Sequence, residues 1–410
     1  MRDLRLLALL VVFLLSNLDP FAHPGQSAPG AESHAQKARN VRVSTAQPRS
    51  RMIDWRVTPA KALTQVDKTL EELEQMVHRA GNAGCDVLAF PEDTLGLLHW
   101  EIGNKSKLKE VLPEAVSRML KQLGQAAAIH RMYLLCSNDS IEKNGNYRNT
   151  AFFLGRDGKE IGRYYKVTPT VNESDRIRGE SFPVFETPDL GGVGMLICYD
   201  MVMPESIRCL ALAGADIIFV HTLGGAIMAG DPDASGGDLD RAAFRTRAAD
   251  NFVYLAVAKR DEGAMILSPQ GTVLAEGKHP DEIVIADLNP FGGREGGDAL
   301  NSQVDMRARL FRERNPAAYG LLTDPNPPVL KKIAPTITIE EAVRLWEKVL
   351  TRGEDRFQQA ENLLKAGRTG EALRAFEQLR IDFPSTWIDR SAQKRLVEIR
   401  KKDRNSGAEF

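Results

Sequence analysis

The sequence has little cysteine, no excess of either charge and no long apolar run, and each shortage excludes a class of protein. Four cysteines in 410 residues are too few for the disulfide framework of a small secreted protein. The 54 basic residues balance the 55 acidic ones, so we expect no binding to nucleic acid. There is no Cys-x-x-Cys pair, and the seven histidines are scattered. We therefore predict no metal site and no cofactor.

The apolar run of residues 6–15, LLALLVVFLL, follows Arg2 and Arg5. It is shorter than the about 20 residues that cross a bilayer. A short apolar run behind a weakly basic start is typical of a secretory signal. We predict a signal and disordered segment over residues 1–35 and export to the periplasm or the medium. An uncleaved membrane tether is the alternative.

From residue 41 onward, predicted strands alternate with predicted helices, which is typical of an α/β domain. We predict this domain over residues 41–314. The strand segments are VRVSTAQ, DVLAFPE, MYLLCS, NTAFFL, EIGRYYK, GMLI, DIIFV, FVYLAVA, AMILSP and EIVIADL, and the helices cover residues 59–80, 112–130, 204–214 and 239–251.

Prolines recur over residues 315–337, which predicts a stiff linker. Beyond it, residues 338–403 have a helical pattern. The spacing of Gly367, Ala372, Phe376 and Pro384 resembles the second half of a tetratricopeptide repeat. This region could bind a protein partner, and a plain helical tail is the alternative.

Three predicted strands end in a reactive side chain: Glu92, Lys166 and Cys198. Each has an ordinary explanation by itself. Cys198 could be a small buried apolar residue, Glu92 a carboxylate at a helix start, and Lys166 a solvated strand end. Because ligands bind at the carboxyl ends of strands in α/β sheets, the three together favour a nucleophile, a base and an electrostatic stabiliser.

These residues, in FPED, YYK and ICYD, resemble the Glu-Lys-Cys triad of the nitrilase (carbon-nitrogen hydrolase) superfamily. Several other segments resemble that family in the same order: VRVSTAQ, NTAFFLGRDGKEIGRYYK, CYDMVMPESIRCLALAGADIIF, RTRAADN and SPQGTVLAEG. The resemblance implies a four-layer α-β-β-α sandwich, here followed by a small helical region, and a homodimer.

The resemblance also implies a second catalytic glutamate. Glu173 and Glu180 are both candidates, and the distance to Gly179 favours Glu173. The family pattern makes the Tyr199 backbone N–H an oxyanion donor. His221 and Thr222 follow a neighbouring strand, so both are candidates to face the substrate, although a buried strand-end histidine such as His221 more often has a purely structural role.

The family's chemistry gives Cys198 the role of nucleophile and Glu92 that of base. We expect a helix N-terminus and Lys166 to stabilise the thiolate. CYDM is similar to the omega-amidase branch, which implies hydrolysis of a small amide to acid and ammonia. The alternatives are N-carbamoyl amine hydrolysis, nitrile hydrolysis, N-acyl transfer and a non-catalytic scaffold that acts through the helical tail.

Overall fold

The computed structural model describes residues 40–170, 173–223, 236–292, 306–333, 338, 340–341, 344, 348–384 and 386–406. The chain divides into two units, residues 1–37 and 38–410, and the described residues belong to the second. The predicted signal segment, residues 1–35, lies outside them.

The described strands form two six-stranded sheets. They are β1 (Val41–Gln47), β2 (Val87–Ala89), β3 (Tyr133–Ile141), β4 (Tyr147–Leu154), β5 (Glu160–Tyr165), β6 (Val184–Thr187), β7 (Gly191–Ile197), β8 (Ile217–Thr222), β9 (Tyr254–Lys259), β10 (Met265–Leu267), β11 (Val273–Glu276) and β12 (Glu282–Leu288). The first sheet has the order β12-β1-β2-β3-β4-β5, and the second has the order β11-β10-β9-β8-β7-β6.

Each sheet has a parallel centre and antiparallel edges. Strands β1, β2 and β3 run parallel, as do β7, β8 and β9. The remaining pairings are antiparallel. The carboxyl ends of neighbouring parallel strands meet at one edge, which is where α/β sheets bind ligands.

The described α-helices cover the sheets and form the C-terminal region. They are α1 (Pro59–Asn82), α2 (Leu98–Gly103), α3 (Leu108–Ile129), α4 (Pro204–Leu212), α5 (Gly236–Asn251), α6 (Met306–Arg312), α7 (Glu354–Lys365), α8 (Thr369–Asp382) and α9 (Trp387–Ser406). Shorter helical turns occur at Lys105–Lys107, Cys198–Val202, Pro316–Thr323, Pro328–Lys332 and Val349–Gly353. In the described residues, no helix is both long enough and apolar enough to cross a membrane.

Alternation of side chains along the strands produces the four layers. On β2, Val87 and Ala89 join the core between the two sheets, whereas Leu88 joins the core beneath α1 and α3. On the far side, Ile207 of α4 and Phe244 of α5 pack with the second sheet. The predicted α-β-β-α sandwich is therefore confirmed.

The α/β domain also contains four elements that the sequence pattern did not predict, and none of them is longer than seven residues: α2, α6, β6 and β11. Helix α2 has only six residues, and β6 has only four, of which three are partly or fully exposed. Segments this short carry no clear period of hydrophobicity. Helix α3 begins at Leu108, earlier than the predicted start at residue 112, and contains Pro113.

The C-terminal helices have an apolar cluster of their own, which includes Phe376, Phe383 and Leu396. An ion pair joins Asp355 to Arg56 at 2.6 Å, and His99 lies 3.0 Å from Glu354. The predicted linker contains two short 3₁₀ turns with exposed leucines. The likeness to a tetratricopeptide repeat stays a prediction.

Candidate active site

Strands of both sheets bring the three predicted catalytic side chains to one place. Glu92 follows β2 by three residues, Lys166 directly follows β5, and Cys198 directly follows β7. Strands β2 and β5 belong to the first sheet and β7 to the second. The site therefore lies between the sheets, at the ends of their strands.

Lys166 joins two buried carboxylates. Its Nζ donates to Glu92 Oε1 at 2.9 Å and to Glu173 Oε2 at 2.7 Å. All three side chains are at most 6% exposed. One ammonium group thus balances part of the charge of two carboxylates in a site that is shielded from water.

The two candidate glutamates have different surroundings. Glu173 Oε2 also accepts hydrogen bonds from the Thr170 backbone N–H at 2.8 Å and from the Thr170 hydroxyl at 2.9 Å, whereas Glu180 is exposed. Gly179 donates its N–H to the Lys166 carbonyl at 2.8 Å. A Cβ at Gly179 would lie 2.1 Å from the Tyr165 carbonyl oxygen, so this close approach requires glycine.

The charges of Lys166 and Glu173 stabilise each other. Burial lowers the pKa of Lys166, but Glu92 and Glu173 outweigh it and hold the net pKa above its usual value. Burial raises the pKa of Glu173, but Lys166 and Arg176 outweigh it and bring the net pKa down to about 2. At neutral pH, Lys166 is therefore a cation and Glu173 an anion.

Cys198 occupies a sharp turn between β7 and a 3₁₀ helix. Its φ of +45° is unusual for a residue with a Cβ and costs about 1–3 kcal/mol. The buried Asp200 holds this turn, because its Oδ2 accepts from the Ile197 N–H at 3.1 Å and from the Tyr164 hydroxyl at 2.6 Å. Asp200 Oδ1 accepts from the Thr168 N–H at 2.7 Å, which ties the turn to the loop after β5.

The Cys198 thiol is neutral in the free protein. Burial and the Glu92 carboxylate raise its pKa, Lys166 and a hydrogen bond with the Thr222 side chain lower it, and the net value is about 12. Lys166 lowers the pKa of the thiol, as predicted, but burial and Glu92 outweigh this effect and keep the thiol protonated in the free protein. Burial is the largest cause, and the carboxylates of Glu92 and Glu173 oppose the effect of the Lys166 charge.

The three predicted substrate-binding residues lie at the ends of two neighbouring strands: Tyr199 after β7, and His221 and Thr222 at the end of β8. Tyr199 follows Cys198 in the 3₁₀ helix, and its side chain is partly exposed. The Thr222 side chain reaches Cys198. His221 is fully buried, and its Nδ1 lies 2.6 Å from the Phe90 carbonyl oxygen. All three lie close to the predicted catalytic side chains, and their contact with substrate stays a prediction.

His221 is held as a neutral ring. Burial lowers its pKa to about 4, although the bond to Phe90 opposes this shift. Nδ1 therefore donates to the Phe90 carbonyl, and Nε2 is left as a bare acceptor. Nε2 is buried and has no hydrogen-bond partner among the described residues. The ring links the second sheet to the backbone that leads into Glu92.

Asn149 on β4 is a site residue that the sequence pattern did not identify. Its Nδ2 donates to Glu92 Oε1 at 2.9 Å and to Glu173 Oε1 at 2.8 Å. Its backbone carbonyl accepts from the Lys166 N–H at 3.0 Å. In the sequence it is only one polar residue before the apolar run TAFFL, and nothing local marks it as functional.

A second unpredicted contact supports the Glu92 loop from the other sheet. Arg260, which follows β9, lies 3.3 Å from the Glu92 carbonyl oxygen and 3.0 Å from Asp93 Oδ2. Asp93 has a φ of +49°, and its Oδ1 accepts from the Leu97 and Leu98 N–H groups at 2.7 and 3.1 Å. This pair fixes the turn that presents Glu92.

Within the described part of the chain, no three His, Cys, Asp or Glu side chains are arranged to hold a metal ion. The chemistry that the site itself offers is that of a thiol, a nearby carboxylate and an ammonium group. These groups suit attack on a carbonyl or nitrile carbon, with proton transfer through the carboxylate.

Comparison with known families identifies the class of protein. The carbon-nitrogen hydrolase family model matches residues 42–294, which is more than half of the chain. The chain therefore belongs to the carbon-nitrogen hydrolase family, and it is a hydrolase acting on carbon–nitrogen bonds. Glu92, Asn149, Lys166, Glu173 and Cys198 all lie within the matched residues.

Individual relatives include amidases. A deaminated glutathione amidase of Synechocystis is 27% identical over 54% of this chain and 86% of its own. A human omega-amidase is 28% identical over 60% of this chain and 88% of its own. Among solved structures, an amidase from Nesterenkonia sp. superposes with a TM-score of 0.50 at 23% identity and covers 67% of this chain and 97% of its own. At that identity, the structural likeness concerns the fold.

Proposed function

We propose that the protein hydrolyses a small amide to a carboxylic acid and ammonia through a thioester on Cys198. The observation that carries the proposal is the shared Lys166, which contacts Glu92 and Glu173 at 2.9 and 2.7 Å beside the strained Cys198 turn. A lysine that is held charged between two carboxylates next to a thiol supplies the base and the electrostatic stabiliser that the reaction needs.

In the acylation half, Glu92 accepts the thiol proton while the Cys198 sulfur attacks the amide carbon. The carbonyl electrons move to oxygen, and Lys166 and the Tyr199 N–H stabilise this oxyanion. Glu92 then gives its proton to the amide nitrogen, the carbon–nitrogen bond breaks, and ammonia leaves. A single oxyanion donor is typically worth about 10²–10³ in rate.

In the deacylation half, water gives a proton to Glu92 and its oxygen attacks the thioester carbon. The carbon–sulfur bond breaks, and Glu92 returns the proton to the sulfur of Cys198, which restores the neutral thiol. Glu92 serves both halves. Glu173 keeps Lys166 charged and in place throughout.

An amide is the substrate class that we favour. The amidases among the relatives and the CYDM segment support it. N-Carbamoyl amines and nitriles can react with the same groups, and a relative from Schizosaccharomyces pombe that is 28% identical is described as a probable nitrilase. Acyl transfer to another amine and a purely binding role are further alternatives.

Ammonia release across a panel of small amides, N-carbamoyl amines and nitriles tests this proposal. We expect turnover with amides and none in Cys198→Ala. Acceleration by an added amine, with an N-acyl product, would instead indicate acyl transfer. Absence of turnover with every substrate class in the panel would contradict the proposal.

Intact-mass measurement with a slow amide should show an acyl adduct that maps to Cys198. Cys209→Ala is the matched control, because Cys209 is an exposed free thiol whereas Cys85 and Cys136 are buried. The adduct should persist in that control. An acyl adduct on Cys85, Cys136 or Cys209 would show that the nucleophile is wrongly assigned.

The sequence supports three further parts of the proposal. The apolar run of residues 6–15 supports export. Family resemblance supports a homodimer, and the C-terminal helices offer a surface for a protein partner. A thiol that keeps its proton resists oxidation, so the raised pKa of Cys198 is compatible with an oxidising compartment.

A further inference from the structure

Asn149 contacts Glu92, Glu173 and Lys166, three charged residues of the candidate site, which we call the catalytic cluster. Its two side-chain N–H bonds go to Glu92 Oε1 and Glu173 Oε1 at 2.9 and 2.8 Å. Its backbone carbonyl oxygen accepts a hydrogen bond from the backbone N–H of Lys166 at 3.0 Å. The side chain is only 5% exposed, so water cannot readily replace these contacts.

The orientation of the amide is dictated by its neighbours. Turning it over would place Oδ1 against two carboxylates, so the NH₂ group must face them. Oδ1 is then buried without a hydrogen-bond partner among the described residues. An unpaired buried acceptor costs about 1–3 kcal/mol. The fold tolerates this cost at a position where the NH₂ group contacts both glutamates.

The two carboxylate oxygens of Glu92 therefore have different hydrogen-bond partners. Oε1 receives Asn149 Nδ2 and Lys166 Nζ, both at 2.9 Å. Oε2 receives no hydrogen bond from the described residues, and it is not among the fully buried unpaired atoms. Oε2 is therefore the oxygen of Glu92 that can accept a proton without losing a hydrogen bond.

We propose that Asn149 is a positioning residue that fixes Glu92 so that Oε2 is the oxygen which exchanges protons with Cys198 and the leaving group. This inference rests on the proposed function. When Oε2 takes the thiol proton, Oε1 keeps both of its donors and no group has to turn. Oε2 then holds the proton for the leaving amine, and it later accepts a proton from the attacking water.

Loss of Asn149 has two consequences. Glu92 is free to turn and to take a proton on either oxygen, so fewer molecules are ready to react. Both carboxylates also lose a donor that favours their ionised form. The first effect lowers kcat and leaves KM little changed, because Asn149 does not touch the substrate. The second effect moves the acidic limb of the pH profile to higher pH.

The experiment compares Asn149→Ala and Asn149→Asp with the wild type in the full-length protein. We expect kcat to fall by about 10²-fold, with KM within a few-fold of wild type. The acidic limb of kcat/KM should lie at higher pH, and the shift should be larger for Asn149→Asp, which adds a third carboxylate. If Asn149→Ala does not fold, Asn149→Ser carries the same test, because it also removes the bridging NH₂ group.

Thr150→Val is the matched control. Thr150 is the next residue on β4 and is fully buried, and its hydroxyl pairs with that of Ser140 at 2.7 Å. It points to the opposite face of the strand, with Phe152 and Leu154, which belong to the core beneath α1 and α3. Its loss removes a buried hydrogen bond of β4 outside the catalytic cluster, so kcat and the acidic limb should stay near those of wild type.

A second measurement separates positioning from a general structural role. In a Glu92→Gln background the base is already absent, so adding Asn149→Ala should lower the residual rate by much less than 10²-fold. Equal losses in both backgrounds, or an unchanged acidic limb in Asn149→Ala, would overturn the inference. Either result could occur with Cys198 still essential, whereas full activity in Cys198→Ala would refute the proposed function itself.

Discussion

Replacement of Lys166 by methionine tests the charge arrangement directly. Methionine has nearly the length of lysine but no charge, so Lys166→Met leaves Glu92 and Glu173 buried without their shared cation. Removing one partner of a buried ion pair typically costs about 3–5 kcal/mol. We expect the free energy of unfolding at pH 7 to fall by roughly that amount.

The pKa of Glu173 gives an independent value for the contribution of this ion pair to the free energy of unfolding. Burial raises this pKa, but Lys166 and Arg176 outweigh burial and lower it from 4.5 to about 2. A group whose pKa is lowered on folding stabilises the protein above its unfolded pKa. For Glu173, this contribution is roughly 3 kcal/mol at neutral pH, and it is lost as the pH falls from about 4.5 toward 2.

In Lys166→Met the sign of this contribution reverses. Burial is the largest single effect on this carboxyl, and without Lys166 it is opposed chiefly by Arg176 and Thr170. We therefore expect the pKa of Glu173 to lie above its unfolded value. The variant should therefore gain stability as the pH falls from 7 toward 5, a range over which the Glu173 contribution of the wild type is nearly constant. The difference between the two proteins should narrow over that range.

Urea unfolding followed by far-UV circular dichroism, at several pH values between 7 and 5, measures this difference. Lys105→Met is the control, because Lys105 pairs with Asp175 at 2.8 Å with both side chains about a third exposed. An exposed pair is worth at most about 1 kcal/mol. The argument fails if Lys166→Met is as stable as the control at pH 7, or if its deficit does not shrink at pH 5.

Three further predictions concern the turn, the tail and the N-terminus. Cys198→Gly should unfold at a higher temperature than Cys198→Ala, because glycine adopts the φ of +45° without strain; equal melting temperatures would contradict this. A chain ending at Lys332 should stay soluble and active, because the later helices have their own apolar cluster and meet the domain through ion pairs such as Arg56–Asp355; an insoluble product would refute it. In a Gram-negative host, fractionation should find the protein outside the cytoplasm, and full-length chain in the cytosol would contradict export.

Sequence reasoning predicted the fold and the principal side chains of the candidate site. Strands of the parallel centres are apolar runs of clear length, and Glu92 and Cys198 stand where two such runs stop. Lys166 instead follows β5, a largely exposed strand at the antiparallel edge of the first sheet. A strand end is a local feature that a pattern can reveal. The choice of Glu173 over Glu180 followed from its distance to Gly179, and the close packing of Gly179 against Tyr165 gives that distance a physical basis.

The residues that position the site could not be predicted in the same way. Asn149 meets Glu92 across 57 positions of sequence, and Arg260 meets Asp93 across 167. Such contacts depend on which strands become neighbours, and the local hydrophobic pattern of the sequence does not indicate strand pairing. The net pKa of the thiol depends on such contacts as well, because burial and the carboxylates of Glu92 and Glu173 outweigh the predicted effect of Lys166.

Charge balance explains why the thiol is neutral at rest and how it becomes reactive. If Glu92 is the base of the proposed mechanism, its carboxylate and that of Glu173 together with one Lys166 cation give the buried cluster one net negative charge, and a resting thiolate would add another. In the proposed mechanism, transfer of the thiol proton to Glu92 during attack avoids this cost, since the new negative charge moves to the substrate oxygen as Glu92 becomes neutral. Glu173 alone then balances Lys166, whose third N–H is free to face the oxyanion. The same cluster thus suppresses the thiolate before substrate binds and stabilises the charge that forms afterwards.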